Sequence, residues 1–199
     1  SYMHIDTVFT HIKRGLWVMF SPFSKDFGKP ATGEIDVAAA VKRETANKKS
    51  DVEITQFIRT ANADGHSIET KQYDYLDDLL KAISREEFGV KNPEIVLSAG
   101  GEYPYAQREL WTDACNFLTI KEGVIIGYDR NVRTAKEFKE KHNFKIIHSA
   151  DLLKELESGK PLDEIVSGDT MILLPSSELS RARGGTHCMS MPLLRETVS

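Results

Sequence analysis

The chain has 199 residues, 40% of them hydrophobic and 28% charged, with a formal net charge of −4. That is enough for one domain with a real core and ordinary globular composition, and the acidic balance excludes a general basic field for nucleic acid or an anionic membrane. No apolar run nears the roughly 18 residues of a bilayer span, and two cysteines, Cys115 and Cys188, make no disulfide framework and suit a reducing, cytoplasmic setting.

The first residues, Ser1 followed at once by Tyr-Met-His-Ile-Asp-Thr-Val-Phe, read as the inside of a strand. A piece whose natural N-terminal part is absent is therefore expected. FTHIKRGLWVMF, Phe9 to Phe20, predicts a β-hairpin with Gly15 in the turn position that needs positive φ. Ile35 to Lys42 predicts a short helix, 43–53 a charged surface segment, and Val52 to Arg59 a strand by its alternation. Asp74 opens a helix. Leu76, Leu79, Leu80 and Ile83 share one face, Asp77 and Asp78 favour the first turn, and Gly89 closes it. Glu94 to Ser98 predicts a strand running into Gly100 and Gly101.

FLTIKEGVIIGY, Phe117 to Tyr128, then repeats the first hairpin: Phe, two residues, Ile-Lys, one residue, Gly, apolar run. A polar pair precedes each copy, His4 with Asp6 and Thr112 with Asp113. Thr134 to His142 predicts a helix and Lys145 to His148 a strand. Ser149 is placed to cap a helix through Leu156, closed by Gly159 with Pro161 beyond, and Thr170 to Leu174 predicts a strand. The order is β-β-α-β twice with extra helices, an α/β or α+β pattern.

Near the end the chain reads RARGGTHCMSMPLL, Arg181 to Leu194. Arg181, Arg183 and His187 supply positive charge, which favours a thiolate at Cys188, and Gly184-Gly185 permits a sharp bend. Met189 and Met191 fit the alternative, an inert packed thiol. Cys115, beside alternating apolar residues, reads as a packed strand cysteine. Of the six histidines, His66, His142 and His148 sit in polar contexts and read as surface residues. His187 in an extended segment would point away from Cys188. His4 and Asp6 on a strand would share one face, an imidazole beside a carboxylate, although a solvated strand face looks the same in sequence. No metal-ligand spacing and no phosphate-binding glycine loop occurs, so neither metal nor cofactor is expected.

Four stretches taken in order, MHIDTVFT, GGEYPYAQRELWTDACNFLTI, GVIIGYDRN and SELSRARGGTHCMSMPLLRE, resemble the arginine deiminases of the guanidino-group-modifying superfamily. The resemblance covers essentially the whole chain, with looser matching over 24–92 and 134–173. It implies a pentein-type α/β propeller of ββαβ units, of which 1–199 would be a single C-terminal portion of the catalytic domain. It implies Cys188 as nucleophile, His4 as general acid/base and Asp6 as holder of the guanidinium or of His4. It also implies Arg183 at the α-carboxylate and Asn116 at the amino-acid end of the substrate, L-arginine. Hydrolysis to L-citrulline and ammonia would pass through an amidino-cysteine. The chain departs from the family pattern at Ala182, where Gly is common, and in a longer 149–173 stretch. Carboxylates from earlier units would be missing, so the piece alone is expected to be inactive or nearly so. Open strand edges predict a homo-oligomer or other self-association. Other guanidino hydrolases or amidinotransferases, a non-catalytic module keeping the fold, and a cysteine protease stay open as alternatives.

Overall fold

A computed structural model describes residues 4–26, 53–62 and 65–193. Both predicted hairpins form. β1 (Phe9–Lys13) pairs antiparallel with β2 (Leu16–Met19), and β6 (Leu118–Lys121) with β7 (Val124–Tyr128). Gly15 and Gly123 occupy the turns at φ 88° and 78°, the left-handed region open to glycine.

Each inner strand then takes a parallel neighbour. β2 pairs with β5 (Glu94–Leu97), giving the order β1-β2-β5. β7 pairs with β9 (Thr170–Leu174), and β8 (Lys145–His148) lies beyond it, giving β6-β7-β9-β8. The predicted strand at 145–148 is therefore present, but the counterpart of β5 is β9. Composition explains the order. LWVM of β2 is buried at every position and TMILL of β9 nearly so, as central parallel strands require. KIIH of β8 is exposed at Lys145 and His148 and suits an edge.

Helices cross between these strands. α1 (Leu76–Glu86) starts two residues after the predicted opening at Asp74 and packs Leu76 and Leu80 on Trp17 and Met19. Trp17 Nε1 donates to Ser84 Oγ at 2.8 Å, fixing helix to sheet. α2 (Tyr105–Leu110) is not predicted by the sequence, yet it carries a key carboxylate. Buried Glu109 accepts from the backbone N–H groups of Arg133 (2.9 Å) and Thr134 (3.0 Å) and from Thr134 Oγ1 (2.6 Å). It thus satisfies orphan donors at the start of α3 (Val132–His142). α4 (Ser149–Glu157) and α5 (Leu162–Ile165) lead back to β9. Ser149 is the first residue of α4 rather than its cap; the cap position is His148, which makes no side-chain cap bond.

The strand predicted at 52–59 belongs to a longer hairpin of β3 (Ile54–Asn62) and β4 (Gly65–Tyr73), a separate two-stranded sheet. The predicted helix at 35–42, and all but the last residue of the charged segment at 43–53, lie outside the described residues.

One core joins the two larger sheets. Ile12, Val18 and Val96 from the first, with Phe20 just after β2, pack with Ile125, Met171 and Leu173 from the second, with Phe117 just before β6 and with Phe138 of α3. The architecture is mixed α/β, and the sheets among the described residues are open. Among those residues no helix is long and apolar enough to cross a membrane.

Candidate active site

The site forms where three connecting segments meet: the residues before β1, the residues before β6, and the chain after β9. The first is not a strand. Ile5–Thr7 is a turn of 3₁₀ helix, closed by the Thr7 N–H (3.2 Å) and Thr7 Oγ1 (2.6 Å), both donating to the His4 carbonyl. His4 and Asp6 therefore do not share a strand face. Asp6 turns inward, and His4 lines a neighbouring cleft.

The third segment is not extended either. The Met189 N–H donates to the Gly185 carbonyl at 3.1 Å and the Ser190 N–H to the His187 carbonyl at 3.0 Å, closing a tight turn around Cys188. This geometry corrects the expectation for His187. Its Nδ1 lies 2.9 Å from Asp6 Oδ2, and the Cys188 thiol lies 3.8 Å from that same oxygen. His187 and Cys188 thus converge on one carboxylate. The other oxygen of Asp6 is buried without a partner.

Asn116 anchors the turn from the second segment. It is buried, at 1% exposure, and its Oδ1 accepts from the backbone N–H groups of His187 (3.1 Å) and Cys188 (3.2 Å). Its Nδ2 lies 3.1 Å from the Cys188 sulfur. Only the second amide hydrogen remains to meet a substrate. Gly185 makes this packing possible, because a Cβ there would sit 2.4 Å from that of Asn116. Thr186 Oγ1 lies 2.6 Å from the Ile126 carbonyl and accepts from the Leu118 N–H at 3.1 Å, tying the turn to the central sheet.

Asp113 is the residue that the sequence singled out without a role. It is buried at φ 57°; Oδ2 accepts from the Gly184 N–H at 3.1 Å, while Oδ1 is buried and unpartnered. Burial pushes its carboxyl above the ordinary range, partly offset by the Gly184 bond and by the nearby Arg183 charge. Its signal in the sequence was position: Thr112-Asp113 stands before the second hairpin as His4 and Asp6 stand before the first. The Tyr128 hydroxyl holds the same loop by donating to the Gly184 carbonyl at 3.0 Å.

Arg183 lies with its guanidinium carbon 4.6 Å from the ring centre of Trp111, a cation–π contact, and its Nε is buried without a partner. Its backbone is at φ 67°, ψ 146°, a conformation that costs an ordinary residue about 1–3 kcal/mol. Arg181 is turned to solvent against Glu178, so the positive field at Cys188 is smaller than the sequence suggests. His4, Thr7, Asp113, Arg183, Gly184 and Cys188 line a cleft of about 90 Å³. His4, Cys188 and Arg183 thus line one cleft, with Asp6 and Asn116 against the Cys188 turn.

The remaining candidates lie elsewhere. Cys115 is buried, but in a turn before β6 and not in a strand, and burial pushes its thiol well up. His66 and His148 are exposed, whereas His142 is half-buried with Nδ1 2.8 Å from Glu94. Among the described residues no cluster of His, Cys, Asp and Glu could hold a metal.

The cleft chemistry is that of a thiol beside carboxylates with unmet hydrogen-bonding capacity. The arginine deiminase family model matches residues 1–195. The chain belongs to the arginine deiminase family. Relatives include the arginine deiminases of Borreliella afzelii, 31% identical over 198 residues, and of Borrelia recurrentis (strain A1), 32% identical over 199. Each alignment covers 100% of this chain and 34% of the relative. That of Clostridium perfringens (strain SM101 / Type A) is 30% identical over 196 residues, covering 98% and 34%. The chain thus spans about a third of the length of the curated arginine deiminases it matches.

Proposed function

We propose that this chain carries the nucleophile-bearing part of an enzyme that hydrolyses L-arginine to L-citrulline and ammonia. The supporting observation is the Cys188 sulfur 3.8 Å from an Asp6 carboxylate whose other oxygen is buried and unpartnered. A thiolate and a carboxylate this close repel each other unless a cation lies against both. A guanidinium is planar, permanently charged and rich in donors, and it meets carboxylates by paired hydrogen bonds. The unpartnered oxygen of Asp113 across the cleft offers a further acceptor.

The chemistry follows. The Cys188 thiolate attacks the guanidinium carbon, forming a C–S bond. His4 gives a proton to the departing nitrogen, the C–N bond breaks and ammonia leaves. Water, deprotonated by His4, attacks the amidino-cysteine; the C–S bond breaks and citrulline leaves with thiolate restored. Arg183 meets the substrate α-carboxylate, whereas Asn116, 1% exposed and 3.1 Å from the sulfur, stands at the reacting end and not at the amino-acid end that the resemblance implies. The architecture fits ββαβ units of a propeller that further chain would complete. The 199-residue chain by itself would hold the guanidinium too loosely for attack.

Citrulline formation tests both parts. A longer protein carrying this chain should convert arginine, and Cys188→Ser should abolish it; Cys188-independent turnover would overturn the assignment. The isolated chain should give no citrulline, and a clear signal from it would overturn the incompleteness.

A further inference from the structure

The arginine reading sets the substrate's cation against the Cys188 anion but names no group of the chain that supports the anion. Its close neighbours include two carboxylates, and both disfavour negative charge: Asp6 at 3.8 Å, and Asp113 lining the same cleft. Arg183 and, when protonated, His4 and His187 act the other way; Tyr128 approaches through the Gly184 loop. Of these, none donates a hydrogen bond to the sulfur itself.

Asn116 does. Its amide orientation is fixed by the network around it. Two backbone N–H groups, of His187 and Cys188, converge on one terminal atom, which must be the oxygen. The nitrogen is then left facing the sulfur at 3.1 Å. The side chain cannot turn away, because the Gly185 backbone packs against it with no room for a Cβ, and the Asn116 carbonyl lies 3.2 Å from Thr186 Oγ1. An amide does not titrate, so it presents the donor at every pH.

We propose that Asn116 is the built-in hydrogen-bond donor to the nucleophile: one end of its amide shapes the Cys188 turn and the other stabilises the sulfur anion. The inference rests on the reading of Cys188 as nucleophile and adds to it the group that prepares the thiol before substrate arrives. A donor aimed at an anion is worth more than one aimed at a neutral atom.

The test reads the thiol, not arginine turnover. Cys188 alkylation by iodoacetamide is followed across pH in the 199-residue chain. Asn116→Asp keeps an oxygen for the two backbone N–H groups and replaces the donor by an acceptor. It should move the alkylation midpoint to higher pH and slow alkylation at neutral pH about tenfold. An unchanged midpoint in a folded variant overturns the proposal. A second measurement needs no substitution at Asn116. In the wild-type chain, the Asn116 side-chain NH₂ resonances should shift with the same midpoint as Cys188 alkylation, and the shift should vanish in Cys188→Ala. Resonances that ignore the Cys188 titration overturn the proposal even if Asn116→Asp fails to fold. Neither readout uses arginine, so a chain that passes both but never yields citrulline as part of a longer protein refutes only the substrate.

Discussion

Both cysteines adjoin Asn116, one in sequence and one in space, and their surroundings differ. Cys115, its neighbour in sequence, faces the shared core and is 1% exposed, with burial raising its thiol. Cys188, its neighbour in space, sits on an exposed turn against an amide donor and a carboxylate. Both occur in tight turns, and neither lies in a strand. What distinguishes them is access together with the polar groups aimed at the sulfur, the two conditions for thiol reactivity.

The sharpest way to break this comparison is to exchange the consequences. Cys188→Ser should lower arginine turnover in a longer protein by more than about 10³-fold, whereas Cys115→Ala should leave turnover in place. Equal losses would mean that both positions act through folding. Next in size is Gly185→Ala. The added Cβ would collide with Asn116 and force the Cys188 turn apart, at about 1–3 kcal/mol of stability. Denaturant melting and Cys188 alkylation should both respond; a variant with wild-type values would show that the turn tolerates a side chain there. Cys115→Ala should cost about 1–2 kcal/mol through the small void it leaves in the core, with unchanged Cys188 alkylation.

The smallest effect is electrostatic. Burial raises the Asp113 carboxyl in the folded chain, so the folded state binds more protons than the unfolded one above the ordinary carboxylate range. That contribution to stability is present at low pH and is lost as pH rises through the raised value. Asp113→Asn removes it, so the fall in urea midpoint between about pH 4 and pH 7 should become shallower. Some slope should persist, because Asp77 is raised by burial as well. An unchanged slope would mean that Asp113 does not titrate in that window.

Much of the strand framework was legible because hairpins announce themselves locally. FxxIKxG followed by an apolar run fixes a turn glycine and a buried strand, and both copies fold so. Strand order was less legible. Lys145 to His148 and Thr170 to Leu174 both read as strands, but which one flanks β7 depends on burial of both faces, a tertiary property. β4 escaped because GHSIETKQY lacks an apolar face, and its partner strand supplies the pairing. At the site, the residue types around Cys188 could be named from motifs, while their geometry could not. His4-x-Asp6 looked like strand alternation until Thr7 closed a 3₁₀ turn, and the 3.1 Å approach of Asn116 to a sulfur 72 residues away has no signature in one sequence. Asp113 left a faint trace, a polar pair at the same offset from a repeated hairpin.

The most direct test is a labelling ratio. A longer protein carrying this chain is treated with a haloacetamidine, a small arginine-like cation, and separately with the neutral haloacetamide, each rate divided by that for free cysteine. Adducts are located by peptide mapping. Cys188 should react in preference to Cys115, the cation should be favoured over the neutral reagent, Asp6→Asn should remove the preference, and excess arginine should slow the reaction. Equal normalised rates for the two reagents, or labelling of Cys188 indifferent to Asp6 and to arginine, would contradict the claim that this thiol is built to meet a guanidinium.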